Sequence, residues 1–208
     1  MKGKFIVFEG VEGAGKTTQI QQTATWLQSY YGKERSVVTT REPGGTELGR
    51  RIRQLLLDDL DFTVDNRTEL LLYAADRAQH IESVIKPQLE CGSIVLCDRF
   101  TDSTIAYQGY GRGFDLQTIE SVNTLATGGL NSDLTIWLDL DVSIGLQRAL
   151  ERGEPDKMER STLEFHQRVQ QGYQELANRY PDRIVRIDAD RPIEFIQAEI
   201  QSVFNRLK

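Results

Sequence analysis

The chain has 208 residues, of which 39% are hydrophobic and 27% charged, and its net charge is −6. This composition is ordinary for a globular protein and excludes disordered, collagen-like and disulfide-scaffold chains. The negative charge argues against binding along a nucleic-acid backbone, which usually needs a basic face. The apolar runs are only strand-length, whereas a membrane span needs about 20 residues. We therefore expect no membrane and no nucleic acid among its partners.

The length predicts a single domain over residues 1–208. The N-terminus shows no secretory signal pattern, so we expect a cytoplasmic protein. Two cysteines, Cys91 and Cys97, form neither a C-x-x-C pair nor a zinc-binding set. Cys97 lies in an apolar run, which indicates a core position.

Short apolar runs recur along the chain, and they are continuous rather than alternating, as in parallel strands covered on both faces. They are residues 5–8, 37–39, 94–97, 134–138 and 184–187. The segments with helical patterning are residues 17–30, 46–57, 68–89, 116–126, 142–152, 161–180 and 192 to the C-terminus. We expect Asn66, Asp141 and Ser161 to cap three of these helices. The alternation predicts an α/β fold, a doubly wound five-stranded parallel sheet flanked by helices, with ligands at the carboxyl ends of the strands.

A glycine-rich loop follows the first predicted strand. Residues 10–17 match G-x-x-x-x-G-K-[ST] between a strand and a helix. The glycines let backbone N–H groups point at phosphate oxygens, and the helix N-terminus adds partial positive charge. Lys16 should bridge the β- and γ-phosphates, and the Thr17 hydroxyl should ligate Mg²⁺. The predicted nucleotide-binding residues are Gly10, Val11, Glu12, Gly13, Ala14, Gly15, Lys16, Thr17 and Thr18.

An aspartate and several arginines stand where a second phosphate site would need them. Asp98 closes the third predicted strand, where such proteins hold the Mg²⁺ shell, although a helix cap is the alternative. The arginines at strand ends and on facing helices are Arg41, Arg53, Arg77 and Arg99. Guanidinium forks bind phosphate bidentately, so converging arginines suit a dianionic monophosphate. The sequence has no N-K-x-D motif for reading guanine, which argues against a GTPase.

A densely charged segment lies at residues 148–160. Its cations are Arg148, Arg152, Lys157 and Arg160. Gly153 and Pro155 break any helix there. We interpret the segment as a mobile lid that brings positive charge to the transferring phosphoryl group, against the alternative of a solvated loop.

These motifs together resemble those of bacterial-type thymidylate kinases over essentially the full length. The matching pieces are residues 8–18 (FEGVEGAGKTT), 40–46 (TREPGGT), 72–80 (LYAADRAQH), 98–100 (DRF) and 103–109 (STIAYQG). The resemblance implies the P-loop kinase fold and the reaction ATP + dTMP → ADP + dTDP with Mg²⁺. It makes ATP and dTMP the expected partners, and it implies a homodimer.

The resemblance also assigns base-reading roles to matched positions. Tyr73 would stack on the thymine ring, where most relatives have Phe. Arg77, one helical turn along, would donate to the thymine O4. Thr104 and Gln108 would read the base edge, and Tyr107 would reject a ribonucleotide. From the residues alone, Tyr73 could instead be a core residue, and Arg77 could pair with a carboxylate.

Further matched positions would hold the dTMP phosphate. Arg41, Arg53 and Arg99 would grip it, although Arg53 lies in an arginine-rich stretch that also fits a solvated face. Pro43 would form a wall for the base. Glu9 would lie beside the phosphates and orient arginines or metal-bound water.

The phosphate loop holds Glu12 where some family members have an arginine, so the extra positive charge must come from the lid. We predict that Arg152 stabilises the transferring phosphoryl group, assisted by Arg148 or Arg160. Lys157 stands where the family usually has an arginine and cannot form a fork, which leaves open which lid cation acts. The predicted catalytic residues are Lys16, Arg99 and Arg152. Arg148, Arg152 and residues 188–191 are also the expected walls of the adenine site.

Two other functions remain open from the sequence. A kinase for another deoxynucleotide or a deoxynucleoside would share the phosphate loop, but a deoxynucleoside kinase has less use for three arginines at the acceptor. A non-catalytic nucleotide switch would leave Asp98, Arg99 and the lid unexplained.

Overall fold

The structure, a computed structural model, describes residues 2–58, 61–153 and 157–206. One sheet of parallel strands has the order β2-β3-β1-β4-β5. The strands are β1 (Lys4–Glu9), β2 (Val37–Arg41), β3 (Ile94–Asp98), β4 (Leu134–Asp139) and β5 (Ile184–Asp188). The predicted α/β class and five-stranded parallel sheet are thereby confirmed.

Helices connect and cover the strands. They are α1 (Lys16–Tyr31), α2 (Glu47–Leu57), α3 (Asn66–His80), α4 (Lys86–Glu90), α5 (Thr101–Thr104), α6 (Leu116–Thr127), α7 (Val142–Arg152), α8 (Leu163–Arg179) and α9 (Ile193–Arg206). Two π-helical turns, π1 (Ile81–Ile85) and π2 (Ile105–Gly111), continue α3 into α4 and extend α5. The helical stretch from α5 through π2 was not predicted, because two glycines and a π-helical geometry hide the usual 3.6-residue pattern.

Two of the three predicted helix caps are wrong by one residue. The Asp141 side chain caps α7 as predicted, accepting from the backbone N–H groups of residues 143 and 144. Asp65 rather than Asn66 caps α3. Thr162 rather than Ser161 caps α8. In both cases two adjacent side chains are good caps, and the one whose backbone is extended where the helix begins takes the role.

The sheet is covered on both faces, which explains its continuous apolar strands. Phe5 and Val7 of β1 belong to one buried cluster, together with residues of π1. Ile6 and Phe8 point to the opposite face and belong to a larger cluster with residues of α1 and α9. Cys97 is buried in the first cluster, as predicted. Within the described ranges, no helix is both long and apolar enough to cross a membrane.

The strand order brings three strand ends together. In the sheet register Asp98 lies beside Phe8 on one side and beside Arg41 on the other. The backbone N–H of Glu42 donates to the carbonyl oxygen of Asp98 at 2.9 Å. The phosphate loop after β1 and the loops after β2 and β3 therefore meet at one edge of the sheet, where ligands of such folds bind.

Candidate active site

The phosphate loop is held in a shape that its glycines allow. Gly10, Gly13 and Gly15 have φ angles of 147°, 70° and 87°. Residues other than glycine rarely adopt such positive values. A Cβ on Gly13 would lie 2.1 Å from the carbonyl oxygen of Gly145 on α7. The loop thus packs directly against the helix that leads into the predicted lid.

Lys16 lies at the mouth of this loop. Its ammonium donates to the carbonyl oxygens of Gly10 and Val11, both at 3.0 Å. Burial lowers the pKa of Lys16, and the positive charge of Arg99 lowers it further. A cation held in place by the carbonyl oxygens of a glycine-rich loop is suited to phosphate oxygens.

A cavity of about 740 Å³ opens over the phosphate loop. Its lining includes Glu12, Gly13, Ala14, Gly15, Lys16, Thr17, Thr18, Arg41, Glu42, Arg53, Asp98, Arg99, Arg148, Glu151, Arg152 and Glu159. We call it the donor cavity. Most of the predicted nucleotide-binding residues are brought together here, and Arg41, predicted at the acceptor phosphate, lies here as well.

The Mg²⁺ prediction agrees with the chemistry of two residues in the donor cavity. Oδ1 of Asp98 is buried and has no hydrogen-bond partner among the described residues, a costly state for a carboxylate oxygen. Thr17 lines the same cavity. One hydroxyl and one carboxylate suit Mg²⁺, which keeps several waters and takes oxygens from substrate phosphates. The described chain has no cluster of three or more His, Cys, Asp or Glu that could hold a metal ion.

A second, smaller cavity of about 80 Å³ adjoins the first, and we call it the acceptor cavity. It is lined by Glu12, Glu42, Pro43, Arg53, Leu57, Tyr73, Arg77, Arg99, Phe100, Ser103, Thr104, Tyr107, Gln108 and Met158. The predicted base-reading residues all line it. Glu12, Glu42, Arg53 and Arg99 line both cavities, so they form a shared wall.

Arg99 occupies an unusual place in this wall. Its φ of 69° is the one positive value found at a non-glycine residue within the described ranges. Nη2 of Arg99 lies 2.5 Å from Oε1 of Glu12, and the guanidinium stacks over the Tyr107 ring at 4.8 Å. Left-handed backbone at a side chain of this size is typical of functional positions.

Glu12 is fixed by the same contacts. The Tyr107 hydroxyl donates to Oε1 of Glu12 at 3.0 Å. Burial opposes ionisation, but the charges of Arg99 and Lys16 prevail and lower the pKa of Glu12 to about 2. The sequence indicated only a missing cation in the phosphate loop, whereas the structure places a carboxylate, held by Arg99 and Tyr107, in the lining of the acceptor cavity.

Arg77 is held rigidly beside the acceptor cavity. Its Nε donates to Oε2 of Glu42 at 2.8 Å, and its Nη2 donates to the carbonyl oxygen of Phe100 at 2.9 Å. Its Nη1 donates to Oγ1 of Thr104 and Oδ1 of Asn123. These bonds use four of the five N–H donors of a guanidinium. The fork is thus pre-oriented, and one of its donors makes no hydrogen bond among the described residues.

Sequence reasoning missed the buried residues that support this arrangement. His80 contacts Oε1 of Glu42 through Nδ1 at 2.9 Å, and its Nε2 contacts Thr40 at 2.6 Å. Asp76 accepts from the backbone N–H of Gly44 at 3.1 Å. Burial and the nearby Glu42 raise the pKa of Asp76 to about 6. The spacing of Asp76, Arg77 and His80 on one helix face was the available signal.

Glu9 lies behind the acceptor cavity and lines neither cavity. Its carboxylate accepts from the Phe100 N–H at 2.8 Å, the Ser103 hydroxyl at 2.5 Å and the Tyr173 hydroxyl at 2.8 Å. Burial, and then the charge of Asp102, raise its pKa to about 7. Glu9 therefore organises the turn between β3 and α5, and its predicted contact with dTMP stays a prediction.

The arginines of the predicted lid line the donor cavity on the side of α7. Arg148 lies 3.2 Å from Oδ1 of Asp190 and 3.5 Å from the carbonyl oxygen of Ala189. That Arg148 and residues 188–191 form walls of the adenine site stays a prediction. Arg152 pairs with Glu159 at 2.6 Å. Helix α7 ends at Arg152, as predicted from the break that follows it.

The C-terminal end of the predicted lid contacts residues outside the lid. The backbone N–H of Lys157 donates to the carbonyl oxygen of Leu57 at 3.3 Å, and Met158 is buried in the lining of the acceptor cavity. Pro155, predicted to break the helix, lies outside the described residues.

Comparisons with known proteins agree with this geometry. A family model described as "Thymidylate kinase" matches residues 8–200. A thymidylate kinase of Trichodesmium erythraeum is 59% identical, over 98% of this chain and 95% of that one. Another from Nostoc punctiforme is 57% identical, over 98% of this chain and 96% of that one. The crystal structure of a thymidylate kinase from Ehrlichia chaffeensis superposes with a TM-score of 0.79 at 37% identity, over 98% of this chain and 99% of that one.

Proposed function

Since the chain belongs to the thymidylate kinase family, we propose that it transfers the γ-phosphoryl group of ATP to dTMP, giving ADP and dTDP. The resemblance read from the motifs is confirmed by the family model and the relatives. One observation carries the proposal: the donor and acceptor cavities share a wall that contains Arg53 and Arg99. Two phosphates bound on either side of that wall would meet between the same cations.

The donor side of the reaction is assigned to the phosphate loop. Its backbone N–H groups and Lys16 would hold the β- and γ-phosphates, with the ammonium exchanging carbonyl oxygens for phosphate oxygens. Thr17 and Asp98 would hold Mg²⁺. The ion would supply charge neutralisation on the transferring phosphates.

The acceptor side is assigned to the arginines of the wall. Arg99 and Arg53, with Arg41 nearby, would grip the dTMP phosphate, one oxygen of which attacks the γ-phosphorus while the bridging oxygen leaves with ADP. The attacking phosphate is already ionised near neutral pH, so the site needs positioning and positive charge rather than a strong base. This agrees with the placement of Glu9 behind the wall rather than in it.

The thymine ring would fill the apolar part of the acceptor cavity. Tyr73 would stack on it, Arg77 would donate to O4, and Pro43 would close one side. Thr104 and Gln108 would read the edge of the ring. Tyr107 would stand near the sugar, and its fixed hydroxyl supports a role in rejecting a ribose.

Residues 148–160 are proposed to act as the lid. The ion pair with Glu159 holds Arg152 at the rim of the donor cavity, from where it would turn to the transferring phosphoryl group, with Arg148 or Arg160 assisting. Alanine variants of these arginines would identify the cation that acts.

A homodimer is part of the proposal. Helices α2 and α6 both pack on α3, and each of the three exposes a leucine: Leu48 is 47% exposed, Leu71 55% and Leu125 86%. Burial of such side chains against a second copy would be favourable. The cytoplasmic location expected from the sequence stays a prediction.

A coupled assay of ADP release tests the proposed reaction. ATP, Mg²⁺ and one acceptor at a time are supplied, from the set dTMP, dUMP, ribothymidine monophosphate, dCMP, AMP and thymidine. Turnover with dTMP and little with the ribose analogue is expected. Turnover with thymidine instead would identify a nucleoside kinase, and binding of ATP without turnover on any acceptor would identify a nucleotide switch.

A further inference from the structure

We propose that Glu69 is a specificity-determining positioning residue, which fixes the hydrogen-bonding atom that Gln108 presents to the nucleobase. This inference rests on the proposed function, because it concerns a nucleobase in the acceptor cavity. Glu69 does not line that cavity, and its effect would pass entirely through Gln108.

The two side chains form a buried pair. Glu69 lies in the first turn of α3, and Gln108 lies in π2 and lines the acceptor cavity. The two residues are 3% and 2% exposed. Nε2 of Gln108 donates to Oε1 of Glu69 at 2.9 Å. With so little water available, each polar atom depends on its protein partner.

The chemistry of the pair leaves one arrangement. An ionised carboxylate only accepts hydrogen bonds, whereas a glutamine amide has one accepting oxygen and one donating NH₂ group. The NH₂ group of Gln108 must therefore face Glu69. The carbonyl oxygen is then the amide atom left for the cavity, so Gln108 presents an acceptor there.

Arg112 holds the carboxylate in place. Its Nη2 donates to Oε2 of Glu69 at 3.1 Å, and its Nε donates to Oε1 at 3.3 Å. The backbone N–H of Arg112 donates to the carbonyl oxygen of Tyr107 at 2.9 Å, the i to i−5 bond of the π turn. Gln108 and Arg112, four residues apart, both reach Glu69.

The same arginine connects this pair to the end of the lid. Nη2 of Arg112 lies 3.5 Å from the sulfur of Met158, and the guanidinium stacks over the Phe165 ring at 4.7 Å. Met158 also lines the acceptor cavity. Arg112, which holds the carboxylate of Glu69, is thus itself fixed by Met158 and Phe165.

An acceptor at Gln108 selects among pyrimidines. Thymine has a donating N3–H and an accepting O4, whereas cytosine has an accepting N3 and a donating amino group. Gln108 as an acceptor and Arg77 as a donor match thymine at both atoms and oppose cytosine at both. If Gln108 could turn its NH₂ group into the cavity, it would donate a hydrogen bond to N3 of cytosine. Only the contact of Arg77 would then still distinguish thymine from cytosine.

The test compares Glu69→Gln with the parent chain. An amide at position 69 both donates and accepts, so Gln108 is free to turn. The KM for dTMP and the Ki of dCMP, measured as a competitive inhibitor, give a ratio that does not depend on the fraction of enzyme that is folded. We expect the preference for dTMP over dCMP to fall about tenfold in Glu69→Gln, the size of one misdirected buried hydrogen bond. Glu69→Asp keeps an acceptor-only group and should retain most of the preference.

Two further variants complete the design. Gln108→Leu leaves Glu69 and Arg112 intact but removes the amide, and its preference should fall to a similar extent. Glu120→Gln removes an exposed carboxylate that lines neither cavity, and its preference should not change. An unchanged preference in Glu69→Gln or in Gln108→Leu would overturn the inference. A parent chain without dTMP turnover would instead overturn the proposed function.

Discussion

Nη2 of Arg99 and Oε1 of Glu12 lie 2.5 Å apart in the wall between the donor and acceptor cavities. The arginine is the first residue after β3, and the carboxylate belongs to the phosphate loop. The pair therefore connects the loop after β3 with the phosphate loop. Arg99 also donates to Ser103 and Tyr173, both at 3.2 Å. Its fork is therefore fixed before any substrate arrives, which is the condition for electrostatic stabilisation without reorganisation.

Replacing this fork by a single charge tests its role. Arg99→Lys keeps the positive charge beside Glu12 but cannot make two parallel bonds to a phosphate. We expect kcat/KM for dTMP to fall about 100-fold, the typical cost of one pre-oriented donor, while the KM for ATP changes little. The control Arg186→Lys alters an exposed arginine paired with Asp139 and should leave the rate unchanged. A loss confined to ATP binding would contradict the assignment.

Asp98→Asn tests the metal site. The amide keeps the size of the side chain but offers Mg²⁺ a weaker ligand. We expect the Mg²⁺ concentration at half-maximal rate to rise by about tenfold or more, with ATP binding in the absence of Mg²⁺ retained. Titration of the rate with Mg²⁺ measures the first quantity, and calorimetry with ATP and a chelator measures the second. An unchanged Mg²⁺ dependence would assign Asp98 a structural role only.

Single alanine variants identify the active cation of the lid. Arg152→Ala should lower kcat by about 1,000-fold if Arg152 stabilises the transferring phosphoryl group, with little change in the KM for dTMP. Arg160→Ala should have a smaller effect, and Arg67→Ala, an exposed arginine on α3, should have none. Near-normal turnover in Arg152→Ala combined with a large loss in Arg160→Ala would move the role to Arg160.

The pH dependence of stability tests the environment of Glu9. Folded Glu9 keeps its proton up to about pH 7, whereas an unfolded glutamate loses it near its ordinary pKa of 4.5. Between these values the folded state binds more protons, so the free energy of unfolding falls as pH rises, by at most about 3 kcal/mol. Glu9→Gln should remove this part of the slope between pH 4.5 and 7. Denaturant unfolding at several pH values gives the difference between the two proteins, and a difference independent of pH would contradict the raised pKa.

Sedimentation tests the dimer. Leu71→Glu places a charge on the proposed face of α3 and should convert a dimer into a monomer at micromolar concentration. Phe195→Glu changes a residue on α9 that is 58% exposed and should leave the dimer intact. A parent chain that sediments as a monomer would remove the dimer from the proposal.

Much of the fold follows from local pattern. Each predicted strand is found with boundaries shifted by at most two residues. For β1, β3 and β4 the reason is that a run buried on both faces admits few polar residues. The phosphate loop was predictable because Gly13 and Gly15 have positive φ angles, which other residues rarely adopt.

The remainder depends on contacts between distant segments. The side-chain direction of Glu12 is set by Arg99 and Tyr107, which no pattern within residues 10–17 contains. Glu69 reads in the sequence as an ordinary acidic residue near a helix start, a common feature. Only the approach of π2 to α3 reveals its contact with Gln108.

The proposed phosphoryl-transfer site can be tested by inhibition with a bisubstrate compound, an adenosine and a thymidine joined 5′ to 5′ through a polyphosphate chain. If the donor and acceptor cavities are two halves of one phosphoryl-transfer site across the Arg99 and Glu12 wall, the compound should compete with both ATP and dTMP. Its affinity should exceed that of either nucleotide alone, because the second half binds at a high effective concentration. Competition with ATP alone, at an affinity no better than that of ATP, would contradict the central claim.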